Sequence, residues 1–148
     1  MLFRSVASTT RGLIMGGYDV PTAGTVNNID FLTISTLGNT QEFGDLTISG
    51  SSQGTASNDT RAIRMGRYPT NNVIDYVTIA TLGDAIDFGD MAALNAYDGR
   101  SCANRTRYVH QGGSNTDNVI QFVEIATTGN TQDFGDLVVG RKIGRAHV

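Results

Sequence analysis

Apolar and polar positions alternate in short bursts along this chain, and one such burst is written three times. NNIDFLTISTLGNTQEFGDL at 27–46 returns as NVIDYVTIATLGDAIDFGDM at 72–91 and as NVIQFVEIATTGNTQDFGDL at 118–137. Aligned in columns, the copies place Ile29, Ile74 and Ile120 together, then Phe31, Tyr76 and Phe122, then Leu32, Val77 and Val123, then Ile34, Ile79 and Ile125. On a period of two, Ile29 and Phe31 point to one face while Leu32 and Ile34 point to the other. Each run therefore predicts a strand covered on both faces, not a strand with one wet side.

Around this strand the pattern predicts three more per unit. A Thr-Arg pair (Thr10-Arg11, Thr60-Arg61, Thr106-Arg107) leads into the short strands GLIMGG, AIRMGR and YVHQGG. The pairs Gly16-Gly17 and Gly112-Gly113 predict positive φ or close backbone approach, and Arg67 in the middle copy departs from this. Gly38-Asn39, Gly83-Asp84 and Gly129-Asn130 read as hairpin turns. Phe43, Phe88 and Phe134, each followed by Gly-Asp, read as aromatic wedges between layers, and Leu46, Met91 and Leu137 each start a further strand. The Ser-, Ala- and Asn-rich stretches 49–59 and 92–104 have room for a fourth strand, and the opening MLFRSVAST matches the tail of such a unit. The expected fold is all-β, with three four-stranded antiparallel units at about 10–59, 60–105 and 106–142.

The copies differ most in one loop. Gly17 to Asn27 is ten steps, against five from Arg67 to Asn72 and from Gly113 to Asn118. The extra residues fall within Asp19, Val20, Pro21, Thr22, Ala23, Gly24 and Thr25, which makes this surface loop the candidate binding segment, since insertions in repeats collect on exposed and often functional faces.

Composition narrows the function classes. The 18 glycines against 2 prolines, in a chain of 148 residues with 39% apolar and 17% charged, fit strands and tight turns in one globular unit. A net charge of -3 with no Lys/Arg run gives no electrostatic basis for nucleic acid. No apolar run nears the ~18 residues of a membrane span, and the start is too short in apolar residues for a signal peptide, so membrane insertion and general secretion are not expected.

Candidate chemistry is sparse. Cys102 is expected to be a small buried hydrophobe. His110 stands in the column of Ile14 and Arg64, with no nucleophile in sequence register, and reads as a packed histidine. The polar column Asp30, Asp75 and Gln121 reads as structural, through a turn hydrogen bond or an ion pair to a repeated arginine, because glutamine poorly replaces an anionic metal ligand. No catalytic residue, cofactor or metal is assigned, and an enzyme is not expected.

Four strands in about 46 residues, repeated head to tail, match the blade of a β-propeller. Gly16-Gly17-Tyr18, the Ile29-Asp30-Phe31 strand, Phe43 and the returning Arg61 and Arg107 resemble kelch-type blades, with phenylalanine where kelch repeats carry tryptophan. The chain also resembles arrays in proteins of tailed phages, particularly marine cyanophages, through Thr10-Arg11-Gly12, Gly16-Gly17, Ile29 to Ile34, Gly38-Asn39 and the strings Asp87 to Asp90 and Asp133 to Asp136. That resemblance implies a virion structural protein, a tail-fibre or appendage propeller contacting other virion proteins and a host surface glycan or protein. The alternative is a carbohydrate- or protein-binding propeller of a bacterial surface or intracellular protein.

Three blades are fewer than the four to eight of closed propellers. Two uncovered faces of on the order of 500 Å² would forfeit on the order of ten kcal/mol each, so residues 1–142 are expected to be part of a larger propeller or to assemble with further blades. Residues Ile143-Gly144-Arg145-Ala146-His147-Val148 are what one frame of a common sequencing adapter encodes, and 143–148 are expected to be non-native.

Overall fold

The computed structural model describes residues 4–93, 98–113 and 118–140. The 143–148 tail lies outside the described residues. Three four-stranded antiparallel sheets follow one another along the chain. The first comprises β1 (Arg4–Ala7), β2 (Arg11–Asp19), β3 (Gly24–Thr33) and β4 (Gln41–Asp45). The second comprises β5 (Gly54–Ser57), β6 (Arg61–Met65), β7 (Val73–Thr78) and β8 (Ile86–Asp90). The third comprises β9 (Arg100–Ala103), β10 (Arg107–Gln111), β11 (Val119–Glu124) and β12 (Gln132–Asp136). In every sheet the strands lie side by side in chain order. The strand before each Thr-Arg pair joins the sheet that follows, so units counted from Thr10, Thr60 and Thr106 begin at the second strand of a sheet.

Two cores lie between the sheets. Leu13, Met15, Ile29, Phe31 and Phe43 of the first sheet meet Ala62, Val77, Ile79 and Ala85 of the second. Ile63, Met65, Ile74 and Phe88 of the second meet Tyr108, Val123 and Ile125 of the third. The middle strand β7 is thus sandwiched, as its pattern predicts: Ile74 faces one core and Val77 and Ile79 the other. The first sheet departs from that expectation, with Leu32 and Ile34 exposed because no described residue covers that face.

The aromatic wedges act as expected in two sheets. Phe43 meets Phe31 edge-on at 6.1 Å and Phe88 meets Tyr76 at 5.6 Å, both inside an inter-sheet core. Phe134 keeps the same edge contact with Phe122 at 5.8 Å but is exposed. The repeated arginines lie over the other ring of each pair, Arg11 on Phe31 at 5.0 Å, Arg61 on Tyr76 and Arg107 on Phe122 both at 4.7 Å. Their attraction to the ring face explains why the Thr-Arg pair and the aromatic column recur together.

Cys102 corrects the sequence expectation: it is exposed. It pairs across the third sheet with Val109, which pairs with Phe122. The same line in the other sheets is Val6–Leu13–Phe31 and Ala56–Ile63–Tyr76, and those residues pack into the two cores. Cys102 sits at a core position on a face that no described residue covers. The first glycine of each pair does take positive φ, 58° at Gly16 and 66° at Gly112, and in the middle copy Gly66 does so at 63° ahead of Arg67.

Candidate functional site

The Gly-Asn pairs are not the hairpin turns expected of them. The turn after each central strand is made earlier, where Thr36, Thr81 and Thr127 donate their N–H groups to Thr33, Thr78 and Glu124. Downstream of that turn the Gly-Asn segment reaches back onto the last strand of the preceding sheet. Gly83 N donates to Phe43 O at 2.9 Å, Ala85 N donates to Asp45 O at 2.7 Å, and Asp45 N donates to Asp84 Oδ1 at 3.0 Å. One sheet further on, Gly129 N donates to Phe88 O, Thr131 N to Asp90 O, and Asp90 N to Asn130 Oδ1 at 3.0 Å. The last strands of the first and second sheets, otherwise rows of unpaired donors and acceptors, are thereby closed by the sheet that follows.

This clasp explains the Phe-Gly-Asp string. A Cβ at Gly44 would stand 2.4 Å from Gly83 O, and one at Gly89 would stand 2.4 Å from Gly129 O. Both glycines also have φ near +150°, at 154° and 147°. Gly135 has φ 136° but nothing within 4 Å of the Cβ position. Replacing Gly89 by Ala is expected to cost backbone strain of about 1–3 kcal/mol plus about 1–3 kcal/mol of overpacking against the Gly129 backbone. Gly135→Ala carries only the strain. Urea unfolding in dilute solution would compare them, and equal losses would refute the clasp as the reason for the glycine.

The same two sheet contacts are reinforced by the arginines of the Thr-Arg pairs. Arg11 Nη1 donates to Ile79 O and Arg61 Nη1 to Ile125 O, both at 2.7 Å, so each arginine bridges its own aromatic ring and the next sheet. Arg107 instead pairs with Glu124 of its own sheet at 2.6 Å.

A second feature is not visible at the sequence level. The turns joining the first two strands of each sheet converge on an open cavity of about 400 Å³ lined by residues 7–9, 57–59 and 104–105. Asn58 Oδ1 accepts from Thr60 N, Thr60 Oγ1 and Arg61 N, and Asn104 Oδ1 accepts from Thr106 N, Thr106 Oγ1 and Arg107 N. Ser8 Oγ plays the same part for Thr10 N and Arg11 N. Its signal is Ser/Asn-x-Thr-Arg at 8–11, 58–61 and 104–107, of which the repeat pattern alone brings out only the Thr-Arg half. Asn58 Nδ2 donates to Arg105 O at 3.0 Å and Ser57 Oγ to Ala7 O at 2.7 Å, tying the three turns into one rim. Asp59 and Arg105 line the same cavity.

The candidate loop lies at the opposite end of the sheet, because β2 and β3 run antiparallel from that cavity. The inserted residues lengthen the hairpin: Gly17, Tyr18 and Asp19 pair with Val26, Thr25 and Gly24. Val20, Pro21, Thr22 and Ala23 form its exposed tip. There the Asp19 carboxylate accepts from Thr22 N and Thr22 Oγ1, and Ala23 takes φ 52°. Thr25 Oγ1 lies 3.2 Å from Ser49 Oγ.

Asp75 and Gln121 of the polar column are buried, whereas Asp30 is half-buried. Asp75 is ion-paired to Arg64, not to a Thr-Arg arginine, and both are within the first inter-sheet layer. Gln121 Oε1 accepts from Thr131 Oγ1 at 2.7 Å. His110 is fully buried, 2.9 Å from Ser101 Oγ through Nδ1, and Ser101 Oγ lies 2.6 Å from the Tyr108 hydroxyl. Burial pushes the Tyr108 hydroxyl pKa up, which keeps it neutral. Among the described residues no three His, Cys, Asp or Glu side chains gather as metal ligands.

The sequence matches no protein-family model and no curated protein.

Proposed function

We propose that the three sheets are kelch-like blades of an incomplete β-propeller, and that this propeller is a structural module of a phage virion, a rigid spacer or head of a tail fibre or related appendage. The observation that carries the reading is the clasp, made twice with the same backbone atoms. It joins consecutive sheets chiefly through main-chain N–H and C=O groups, which suits a mechanical array. The resemblance of the Asp-Phe-Gly-Asp strings to tailed-phage arrays supports the owner. Contact with a host surface glycan or protein falls to the exposed ends of the sheets, the Asp19–Thr25 hairpin among them.

A second reading, a carbohydrate- or protein-binding propeller of a bacterial surface or intracellular protein, is favoured by the polar cavity at the turn end. A long sequencing read through the source locus separates the two. Tail or baseplate genes beside an in-frame array are the expected result. A bacterial neighbourhood, with an export signal or surface anchor on the uninterrupted frame, would overturn the virion reading.

A further inference from the structure

Two departures from the repeat meet at one place between the first and second sheets. The first copy lengthens the β2–β3 hairpin, and the middle copy puts Arg67 where the others carry Gly17 and Gly113. Between the two runs the segment that leaves β4 for β5. Its Gly50 ties to both arms at the base of the added hairpin, since Gly17 N donates to Gly50 O at 3.0 Å and Gly50 N to Val26 O at 3.3 Å. Gly17 and Val26 are themselves partners in the hairpin register. Thr25 Oγ1 adds a bond to Ser49 Oγ at 3.2 Å. On its other side the same segment belongs to the second sheet. Ser51 N donates to Tyr68 O at 3.0 Å, Tyr68 N to Ser51 O at 2.8 Å, and Arg67 Nη1 to Ser49 O.

The lengthened hairpin needs such a support. Within the first sheet, β1 flanks β2 only from Gly12 to Met15, and β4 flanks β3 only from Asn28 to Phe31. Beyond them the arms 17–19 and 24–26 pair with each other as a two-stranded ribbon, which is marginal in water when it stands alone. Asp19 orders the tip by accepting from Thr22 N and Thr22 Oγ1, but this does nothing to fix the ribbon against the sheet. Arg67, for its part, is costly where it lies. It is buried, and burial first and the Arg64 charge second draw its pKa below the ordinary value, with Asp75 opposing. Its stem crosses Gly50 so closely that a Cβ there would stand 2.7 Å from Arg67 Cδ. Glycine in the same column carries no such cost, and what the arginine gains is a charge-assisted hydrogen bond to the segment that holds the hairpin.

We infer that Arg67 is a brace for the lengthened hairpin: through Ser49 and Gly50 the second sheet fixes the base of residues 19–25, so that the exposed tip is presented in one position. A hairpin set in advance loses less conformational freedom when it meets a partner. That use of the brace rests on the reading that the ends of the sheets contact a host surface. The brace itself does not, and the two fail separately, because amide exchange reports the brace and the genes beside the reading frame report the virion.

The experiment is hydrogen–deuterium exchange of the full chain, followed amide by amide by NMR. Arg67→Gly installs the residue of the other two copies. Amides of 17–19 and 24–26 are expected to exchange about tenfold faster or more, the change in local opening that losing one hydrogen bond from a charged group produces. Gly83, Ala85, Gly129 and Thr131 in the clasp, and Arg61 and Arg107 at the turn end, are expected to keep their wild-type rates. Arg67→Met keeps the stem over Gly50 but lacks the donor, and the same local acceleration is expected of it. Ser49→Ala removes only the Thr25 contact and is expected to give a smaller acceleration in the same arms. Hairpin exchange unchanged in Arg67→Gly and Arg67→Met would overturn the inference. So would an equal acceleration at the clasp, or a failure of both variants to fold, since either would make the role of Arg67 global and not local.

Discussion

Replacing Asp75 by alanine is expected to cost about 3–5 kcal/mol, the loss seen when one partner of a buried ion pair is removed. Asp75 and Arg64 are 0% and 1% exposed and lie on neighbouring strands of the second sheet, pressed against the first. Asp75 also accepts from Thr47 Oγ1, while Arg64 Nη1 donates to Ile48 O at 3.1 Å. Burial pulls the guanidinium pKa below its ordinary value and the Asp75 charge opposes that pull. Without the carboxylate, Arg64 is a cation in a low-dielectric layer with a backbone carbonyl for company, so the sheets must part or admit water. Chemical denaturation of the single variant would measure the loss. The double replacement Arg64→Met with Asp75→Leu is expected to recover most of it, since well-packed apolar residues of similar volume match a buried pair or exceed it. A double variant as unstable as Asp75→Ala alone would show that the loss comes from the hydrogen bonds to Thr47 and Ile48 and not from the orphaned charge.

That pair also shows where sequence reading stops. Asp75 stands out as a polar position inside an apolar strand, but its partner does not, because the column holding Arg64 contains Ile14 and His110 in the other copies. One pair is an ion pair and another a Ser–His contact, so the column carries no common pattern. The strands, their number per unit and the aromatic wedge are legible because alternation is local and is written three times. The clasp is not. Gly83 acts on Phe43, in the preceding sheet, whereas a local reading of Gly-Asn can assign only the turn it sits near. The same limit hides the rim of turns around Asn58 and Asn104, which exists only once three sheets converge. Cys102 defeats a local reading for a related reason: its strand position is a core position, and what decides its exposure is a neighbour outside its own repeat.

The expected costs of two chemically identical changes make that dependence on neighbours measurable. Phe88→Ala is expected to lose about 3–5 kcal/mol, the usual range for emptying a buried phenylalanine site. Phe88 is wedged between Tyr76 of its own sheet and a layer that includes Tyr108, Val123 and Ile125 of the next, and both layers are backbone-clasped and cannot readily collapse into the void. Such a loss is a large fraction of the roughly 5–15 kcal/mol that stabilises an ordinary domain. Phe134→Ala removes the same atoms from the same Phe-Gly-Asp string, but in the single chain it gives up chiefly the edge contact with Phe122, about 0.5–1.5 kcal/mol. Urea unfolding of both variants in dilute solution separates the terms. The Phe88→Ala loss should be several times the Phe134→Ala loss, because the third sheet covers Phe88. The Phe134→Ala loss should stay small, because its ring is 54% exposed and lines neither inter-sheet core. Equal losses at Phe88 and Phe134 would mean that burial between the sheets is not what sets the cost.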